Sequence, residues 1–288
     1  MSLLAQKGAL IDGLLAVAER YDSFVFDRFG VLHDGRQLYP GVRGALRQLQ
    51  SLGKPIVVLT NSGRTAAYNL DRLASIGLDG TLIDAMLTSG DAARERVLPR
   101  YVRDLGPNCY HIAPVNERPR ELTAAVAGLR QAKELDACDF VYLSGMPVGL
   151  AETWQGDLLP RLISRAAPLL CSNPDFTAPG GDGLVTSPGT IAKAYDDAGG
   201  RVELIGKPYP LIYEIVRARL DQLGRGRPLF VGDSYHHDIA GARNAGFDAC
   251  LVLTGIHQAQ VRGRDILQTV RDELAVDGVM PTWITETL

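Results

Sequence analysis

The chain has 288 residues, of which 46% are hydrophobic and 22% are charged, as is ordinary for a globular protein. The formal net charge of −3 excludes a global positive field, so we predict no binding to nucleic acid or to a membrane surface. Four widely spaced cysteines without a C-x-x-C pair disfavour a zinc site. Free thiols, and an N-terminus without a signal-peptide pattern, predict a cytoplasmic protein.

The predicted elements alternate for most of the chain. The leucine spacing of residues 3–20 predicts an amphipathic helix that packs on the body. After it, predicted strands at 23–27, 55–59, 202–205, 228–231 and 249–253 alternate with helices at 42–52, 64–76, 211–223 and 237–245. Apolar strands in alternation with helices predict a parallel sheet that is covered on both faces.

The middle of the chain differs from its flanks. It is richer in proline and glycine and has its own predicted strands at 109–113, 140–144 and 169–172. We therefore predict an α/β protein with two domains. A core domain would comprise residues 1–89 and 189–288, and an inserted domain would comprise residues 90–188.

Polar residues follow four of the apolar strands. They are Asp27, the run Thr60-Asn61-Ser62, Lys207, and Asp233 with Asp238 five residues later. In an open parallel sheet the carboxyl ends of the strands meet at one crevice, where ligands bind. One polar strand end is weak evidence for a site, but four with complementary chemistry are strong evidence.

The chemistry of these residues favours phosphoryl transfer. Three carboxylates at one sheet edge form a site of hard oxygen ligands, which Mg²⁺ prefers, and without a cation they would repel one another. Asp27 can serve as a nucleophile because aspartate forms acyl phosphates. Lys207, Thr60 and Asn61 offer a positive charge and donors to anionic oxygens, as phosphoryl transfer requires.

These residues resemble the four motifs of the haloacid dehalogenase superfamily. The motifs are Asp27 with Gly30-Val31, Thr60-Asn61, Gly206-Lys207-Pro208, and Gly232-Asp233-Ser234 through Asp238. The inserted segment, which contains Asn173-Pro174-Asp175, resembles the class IIA branch, the kin of sugar- and nucleotide-phosphate phosphatases. The resemblance implies a Rossmann-like core with a C2-type α/β cap, Mg²⁺, an aspartyl-phosphate intermediate and a possible homodimer.

The resemblance also implies roles for individual residues. The metal would be held by Asp27, the backbone carbonyl of Phe29, Asp233 and Asp238. Asp27 would also be the nucleophile, and Lys207 would hold it. The phosphoryl group would be bound by Thr60, Asn61, Ser62 and Lys207.

Phe29 departs from the family pattern. The phosphatases carry an aspartate at this position, which protonates the leaving oxygen and then activates water; such catalysis is typically worth about 10²–10⁴-fold. An aromatic residue here is similar to the dehalogenase branch, yet Asp233 and Asp238 of the metal site are intact. His33 and Asp34 follow on a predicted turn, and one of them or a cap residue could replace the missing acid.

Three functions therefore stay open from the sequence. The first is a Mg²⁺-dependent phosphatase of a small phosphorylated metabolite of the sugar- or nucleotide-phosphate class. The second is a hydrolase of a carbon–halogen or carbon–phosphorus bond. The third is a phosphate-binding protein with little turnover, because Phe29 cannot act as an acid.

Overall fold

The computed structural model describes residues 8–114, 120–179, 184–224, 226–274 and 279–288. The chain forms two compact units. The first unit comprises Met1–Thr60, Leu70–Leu87 and Lys207–Leu288, and the second comprises Asn61–Asn69 and Thr88–Gly206.

The strands in the described part of the chain are β1 (Ala9–Leu10), β2 (Ser23–Phe26), β3 (Ile56–Thr60), β4 (Ala85–Thr88), β5 (Asn108–Ile112), β6 (Arg130–Gln131), β7 (Phe140–Leu143), β8 (Leu169–Cys171), β9 (Thr177–Pro179), β10 (Leu184–Thr186), β11 (Val202–Leu204), β12 (Pro228–Gly232), β13 (Asp248–Val252) and β14 (Trp283–Thr285).

The α-helices in the same residues are α1 (Val42–Ser51), α2 (Ala66–Ser75), α3 (Ser89–Ala92), α4 (Leu98–Asp104), α5 (Arg120–Ala124), α6 (Leu150–Thr153), α7 (Leu158–Arg165), α8 (Pro188–Asp197), α9 (Pro210–Gln222), α10 (Gly241–Asn244), α11 (Gln258–Val261) and α12 (Ile266–Thr269). Among the described residues, 3₁₀ helices cover Leu14–Arg20, Gly80–Leu82 and Leu135–Ala137, and π-helical turns cover Ala93–Val97, Tyr235–Ala240 and Val270–Leu274.

The first unit is built on a seven-stranded sheet in the order β1-β14-β13-β12-β2-β3-β4, and its pairings from β1 to β3 are parallel. Strands β2, β3 and β12 are buried along their length, which explains their continuous apolar sequence. Phe26 pairs with Val58 on one side and with Val231 on the other. The three strands run in the same direction and end close to this register position, at Phe26, Thr60 and Gly232, so the residues that follow them share one edge.

The predicted helix over residues 3–20 is wrong for its described part. Residues 9–10 form β1 beside β14, and only Leu14–Arg20 is helical, as a 3₁₀ helix. Gly8 and Gly13 have φ of 81° and 76°, a left-handed conformation that glycine adopts readily and that ends regular structure. Residues 1–7 lie outside the described residues.

The second unit has its own parallel sheet in the order β11-β8-β7-β5-β6 and a separate antiparallel pair, β9 with β10. Its apolar core lies between this sheet and α7 and α8, and includes Val141, Leu162 and Tyr195. Two units with parallel sheets and flanking helices confirm the predicted α/β class with a Rossmann-like core and an α/β cap.

Strand β11 does not belong to the sheet that the alternation of strands and helices predicted for it. The sequence assigned it to the core sheet, but Val202 pairs with Leu169 of β8 in the second unit. The second unit therefore continues to Gly206, whereas the predicted insertion ends at 188. A parallel strand carries the same apolar pattern in either sheet, so pattern alone does not say which sheet it joins.

The described helices include none that is both long and apolar enough to cross a membrane. Cys109, Cys138, Cys171 and Cys250 are buried, and they are free thiols as the sequence predicted.

His111 makes the stability of the second unit depend on pH. Its Nε2 lies 2.8 Å from Ser144 Oγ, and its ring stacks on Tyr142 with a centroid distance of 4.7 Å. Burial lowers the pKa of His111 from 6.5 to about 4. The unfolded chain binds this proton at a higher pH than the folded chain does, so stability is complete above about pH 6.5 and falls as the pH decreases toward 4.

We predict that His111→Gln reduces this dependence. Between about pH 7.5 and about pH 5, the free energy of unfolding should fall by about 2 kcal/mol less in the variant than in the wild type. Urea unfolding at both pH values measures this change in the free energy of unfolding. Ser144→Ala is the control, because it removes the hydrogen bond and leaves the imidazole, so it should lower stability equally at both pH values. Equal slopes in wild type and His111→Gln would contradict the assignment.

Candidate active site

A buried lysine joins two of the predicted site residues at the carboxyl edge of the first unit's sheet. Lys207 Nζ lies 2.5 Å from Asp27 Oδ1 and 2.6 Å from Asp238 Oδ1. The side chains of Lys207 and Asp238 are only 5% and 7% exposed. Ion pairs with so little solvent around them are screened weakly, so each partner holds the others in a defined position.

Asp233 completes a cluster of carboxylates. One carboxylate oxygen each from Asp27, Asp233 and Asp238 lies within 4.8 Å of the other two. Asp233 Oδ2 accepts a hydrogen bond of 2.9 Å from the backbone N–H of Ile256. A Cβ at Gly30 or at Gly255 would lie only 2.0 or 1.8 Å from Asp233 Oδ2. Both positions therefore require glycine so that the backbone can close around this carboxylate.

The turn after β2 holds Asp27 at the strand end. The backbone N–H of Asp27 donates to Val231 O at 2.8 Å, which extends the β2–β12 ladder to the site. Gly30 N donates to His33 O at 2.9 Å, and the Thr254 hydroxyl donates to Gly30 O at 2.7 Å. The nucleophile predicted from the sequence thus sits on a rigid element.

Asp238 is positioned by the π-helical turn Tyr235–Ala240. Ser234 Oγ accepts a hydrogen bond from His237 N at 3.2 Å, and Ser234 N donates to Asp238 Oδ2 at 3.0 Å. This reciprocal cap satisfies donors at the start of the turn and fixes the carboxylate that binds Lys207.

The pKa values reflect crowding of like charges. Burial raises the pKa of Asp27 to about 6, although the Lys207 ammonium opposes the shift. Burial and the charges of Asp27 and Asp238 raise the pKa of Asp233 well above its usual range. Burial lowers the pKa of Lys207, but the carboxylates of Asp238 and Asp27 outweigh it, so the net pKa is raised. One lysine does not balance three acids, and the cluster has the charge to accept a cation.

The residues after Asp27 do not supply a replacement acid. The Phe29 ring packs edge-on against His33 with a centroid distance of 5.3 Å. His33 is 3% exposed, and burial lowers its pKa to about 4, so it is neutral. Asp34 accepts hydrogen bonds of 2.8 Å from Arg36 N and Gln37 N, which hold its pKa low. Asp34 is therefore a turn residue.

The predicted phosphate-binding run divides between the two units. Thr60 ends β3 of the first unit and is buried. Asn61 and Ser62 belong to the second unit. There the Asn61 amide donates to Asp175 Oδ1 at 2.8 Å, and Ser62 Oγ accepts from Asn69 Nδ2 at 3.2 Å. A role for these three residues in binding phosphate stays a prediction.

The loop that follows β13 belongs to the site and was not predicted from the sequence. Thr254, Gly255 and Ile256 contact Gly30 and Asp233 and so close the site on one side. The signal was present, since Thr254-Gly255 is a polar pair just beyond an apolar strand, the feature that identified the other four segments.

Comparison with known proteins agrees with this arrangement. A family model described as haloacid dehalogenase-like hydrolase matches residues 24–113, and a HAD-hydrolase-like model matches residues 204–277. A D-glycerol 3-phosphate phosphatase of Mycobacterium tuberculosis is 28% identical over 85% of this chain and 66% of its own length. The sugar-phosphatase AraL of Bacillus subtilis is 27% identical over 89% of this chain and 94% of its own.

A solved structure has the same fold. It is a haloacid dehalogenase-like hydrolase from Brucella suis, which is 27% identical, with a TM-score of 0.79 and coverage of 97% of this chain and 100% of that one. The family models match the segments that carry Asp27, Lys207, Asp233 and Asp238. The chain belongs to the haloacid dehalogenase superfamily of hydrolases, within its class IIA branch.

Proposed function

We propose that this protein is a Mg²⁺-dependent phosphatase of small phosphorylated metabolites, in which Asp27 accepts the phosphoryl group. The observation that carries the proposal is the buried Asp27–Lys207–Asp238 arrangement with Asp233 beside it. The relatives support it, because two of them are named as phosphatases of glycerol 3-phosphate and of sugar phosphates.

The carboxylate cluster fits a Mg²⁺ ion. Its three acids can each offer an oxygen within 4.8 Å of the others, which is the hard-ligand set that Mg²⁺ prefers. Asp233 has a raised pKa because of burial and its acidic neighbours, and a bound cation removes that repulsion. We assign Asp27, Asp233, Asp238 and the backbone carbonyl of Phe29 as the ligands. When bound, the ion neutralises charge on the phosphoryl oxygens.

Residues of the chain orient the nucleophile, attack phosphorus and bind the phosphoryl oxygens. Lys207 keeps the Asp27 carboxylate oriented and adds positive charge where phosphoryl oxygens would sit. The ionised Asp27 attacks phosphorus and forms an aspartyl phosphate, which water later hydrolyses. We assign the binding of phosphoryl oxygens to Thr60, Asn61, Ser62 and Lys207. The buried strand end excludes bulk water, which strengthens each of these interactions.

The alternatives left open by the sequence are not supported. A carbon–halogen or carbon–phosphorus hydrolase and a binding protein with little turnover both disagree with relatives that are named as phosphatases. The carboxylates assigned to the metal also argue against the dehalogenase alternative, because that branch does not need Mg²⁺. A cytoplasmic location, a homodimer and the lack of nucleic-acid binding stay predictions.

Asp27 is the proposed nucleophile, and its substitution tests that role. Asp27→Asn should lower the kcat for 4-nitrophenyl phosphate in Mg²⁺ by at least ~10³-fold, because the amide cannot form the acyl phosphate. Release of 4-nitrophenol measures it. Asp34→Asn is the matched control: it lies in the same turn, its amide oxygen can keep the two backbone hydrogen bonds, and its rate should stay near wild type. Equal rates in wild type and Asp27→Asn would contradict the assignment.

Binding of Mg²⁺ should stabilise the folded protein. At about 100 times its Kd, Mg²⁺ should stabilise the protein by about 2.7 kcal/mol and raise its Tm by about 5 °C. Asp233→Asn should lose this shift because it removes a ligand. Without metal, the variant should melt at or above the wild-type temperature, since it removes a buried, repelled carboxylate. Differential scanning calorimetry with and without EDTA measures both, and an unchanged Mg²⁺ shift in the variant would contradict the ligand assignment.

A further inference from the structure

Phe29 and its surroundings limit which phosphoryl compounds the site can cleave. We propose that the substrate is a phosphoryl compound whose leaving oxygen is weakly basic: an aryl or enol phosphate, an anomeric sugar phosphate or a phosphoanhydride, rather than the phosphate of a primary alcohol. This inference rests on the proposed function and adds a substrate class to it. It follows from the phenyl ring of Phe29 at the position where the phosphatases of the family carry an acid, and from the engagement of His33, Asp34 and Lys207 in other contacts.

Phe29 occupies the turn beside the nucleophile. It lies two residues after Asp27 and directly before Gly30, whose backbone closes on Asp233. The Phe29 ring packs against His33, and its Cε2 lies only 3.0 Å from where a Cβ on Gly35 would stand. The ring therefore fills its place in the turn, and a hydrocarbon cannot donate a proton.

His33 cannot take over the role of an acid. Its Nδ1 accepts a hydrogen bond of 2.8 Å from Gly35 N, so the ring proton is on Nε2. Nε2 is buried and has no hydrogen-bond partner among the described residues. Transfer of that proton would leave a buried anion, and a second proton would have to displace the bond at Nδ1. His33 is thus a neutral packing residue.

The charged groups nearby are already engaged. Asp34 accepts two backbone hydrogen bonds in its turn. The Lys207 ammonium binds Asp27 and Asp238, so loss of its proton would break two buried ion pairs. Asp233 and Asp238 belong to the carboxylate cluster. None of Phe29, His33, Asp34 and Lys207 is therefore placed to give a proton to the departing oxygen.

Without an acid, the rate of the first step depends on the basicity of the leaving oxygen. An Asp27 oxygen forms a bond to phosphorus while the bond to the leaving oxygen breaks; the electron pair stays on that oxygen, which departs as an anion and takes a proton from solvent. In the second step water attacks phosphorus, the bond to Asp27 breaks, the electron pair returns to the carboxylate and the proton of water passes to solvent. Only the first step contains the leaving group.

The test is a leaving-group series in Mg²⁺. It uses aryl phosphates from 4-nitrophenyl to phenyl, glucose 1-phosphate, pyrophosphate, and glycerol 3-phosphate and glucose 6-phosphate for primary alcohols. In the wild type, kcat/KM should fall steeply as the pKa of the leaving group rises. Phe29→Asp should flatten this slope, so that kcat/KM for the primary alcohol phosphates rises by about 10²–10⁴-fold relative to kcat/KM for 4-nitrophenyl phosphate.

Phe29→Asn is the matched control, since it is polar and close in size to aspartate but carries no acidic proton. It should keep the steep wild-type slope. Flattening in Phe29→Asn would assign the effect to the smaller side chain and overturn the inference. If Phe29→Asp does not fold, the dependence of the wild-type kcat/KM on the pKa of the leaving group tests the inference by itself.

The outcomes separate the inference from the function on which it rests. Equal wild-type kcat/KM values for aryl and primary alcohol phosphates would overturn the substrate class and leave the phosphatase function intact. No hydrolysis of any compound, including 4-nitrophenyl phosphate, would overturn both. A steep wild-type slope that Phe29→Asp flattens supports the inference.

Discussion

The site depends on one buried ammonium group held between carboxylates. Lys207 Nζ contacts Asp27 and Asp238 with little solvent around it, and Asp233 adds a third acid. Buried charges are tolerated only when they are paired, and three acids exceed one base. Backbone hydrogen bonds hold two of the acids in place. The Ser234 cap orients Asp238, and the Ile256 amide donates to Asp233. The remaining negative charge explains why a divalent cation suits the site.

The register of the strands determines where these charged groups lie. Phe26 pairs with both Val58 and Val231, so the residues beyond β2, β3 and β12 reach one edge together. Glycine at 30 and 255 lets two loops close on Asp233 where any side chain would collide with its carboxylate. The buried apolar strands fix the backbone, and the positions of the charged groups follow from it.

The substitution at Phe29 separates two parts of phosphoryl transfer. In the proposed mechanism, electrostatic binding of the transferred group uses Lys207 and the carboxylate cluster, and neither needs the side chain of residue 29. Proton transfer to the leaving oxygen does need an acid, and the described turn offers a phenyl ring and a neutral histidine. A substrate with a weakly basic leaving oxygen reconciles the intact electrostatics with the missing acid, because it departs without a proton.

The sequence by itself determined the α/β class and identified Asp27, Lys207, Asp233 and Asp238 as polar residues that follow apolar strands, and the structure brings these four residues into one charged cluster. It could do so because buried parallel strands are continuous apolar runs and because polar residues at their ends are local signals. Tertiary structure alone decided that β11 joins the second sheet and that Ala9 and Leu10 pair with β14 in place of the predicted first helix. It also decided that His33 and Asp34 are engaged in their turn. These outcomes depend on which residues pack or form hydrogen bonds with one another in the folded chain. The local sequence pattern does not specify contacts between residues that are far apart in the chain.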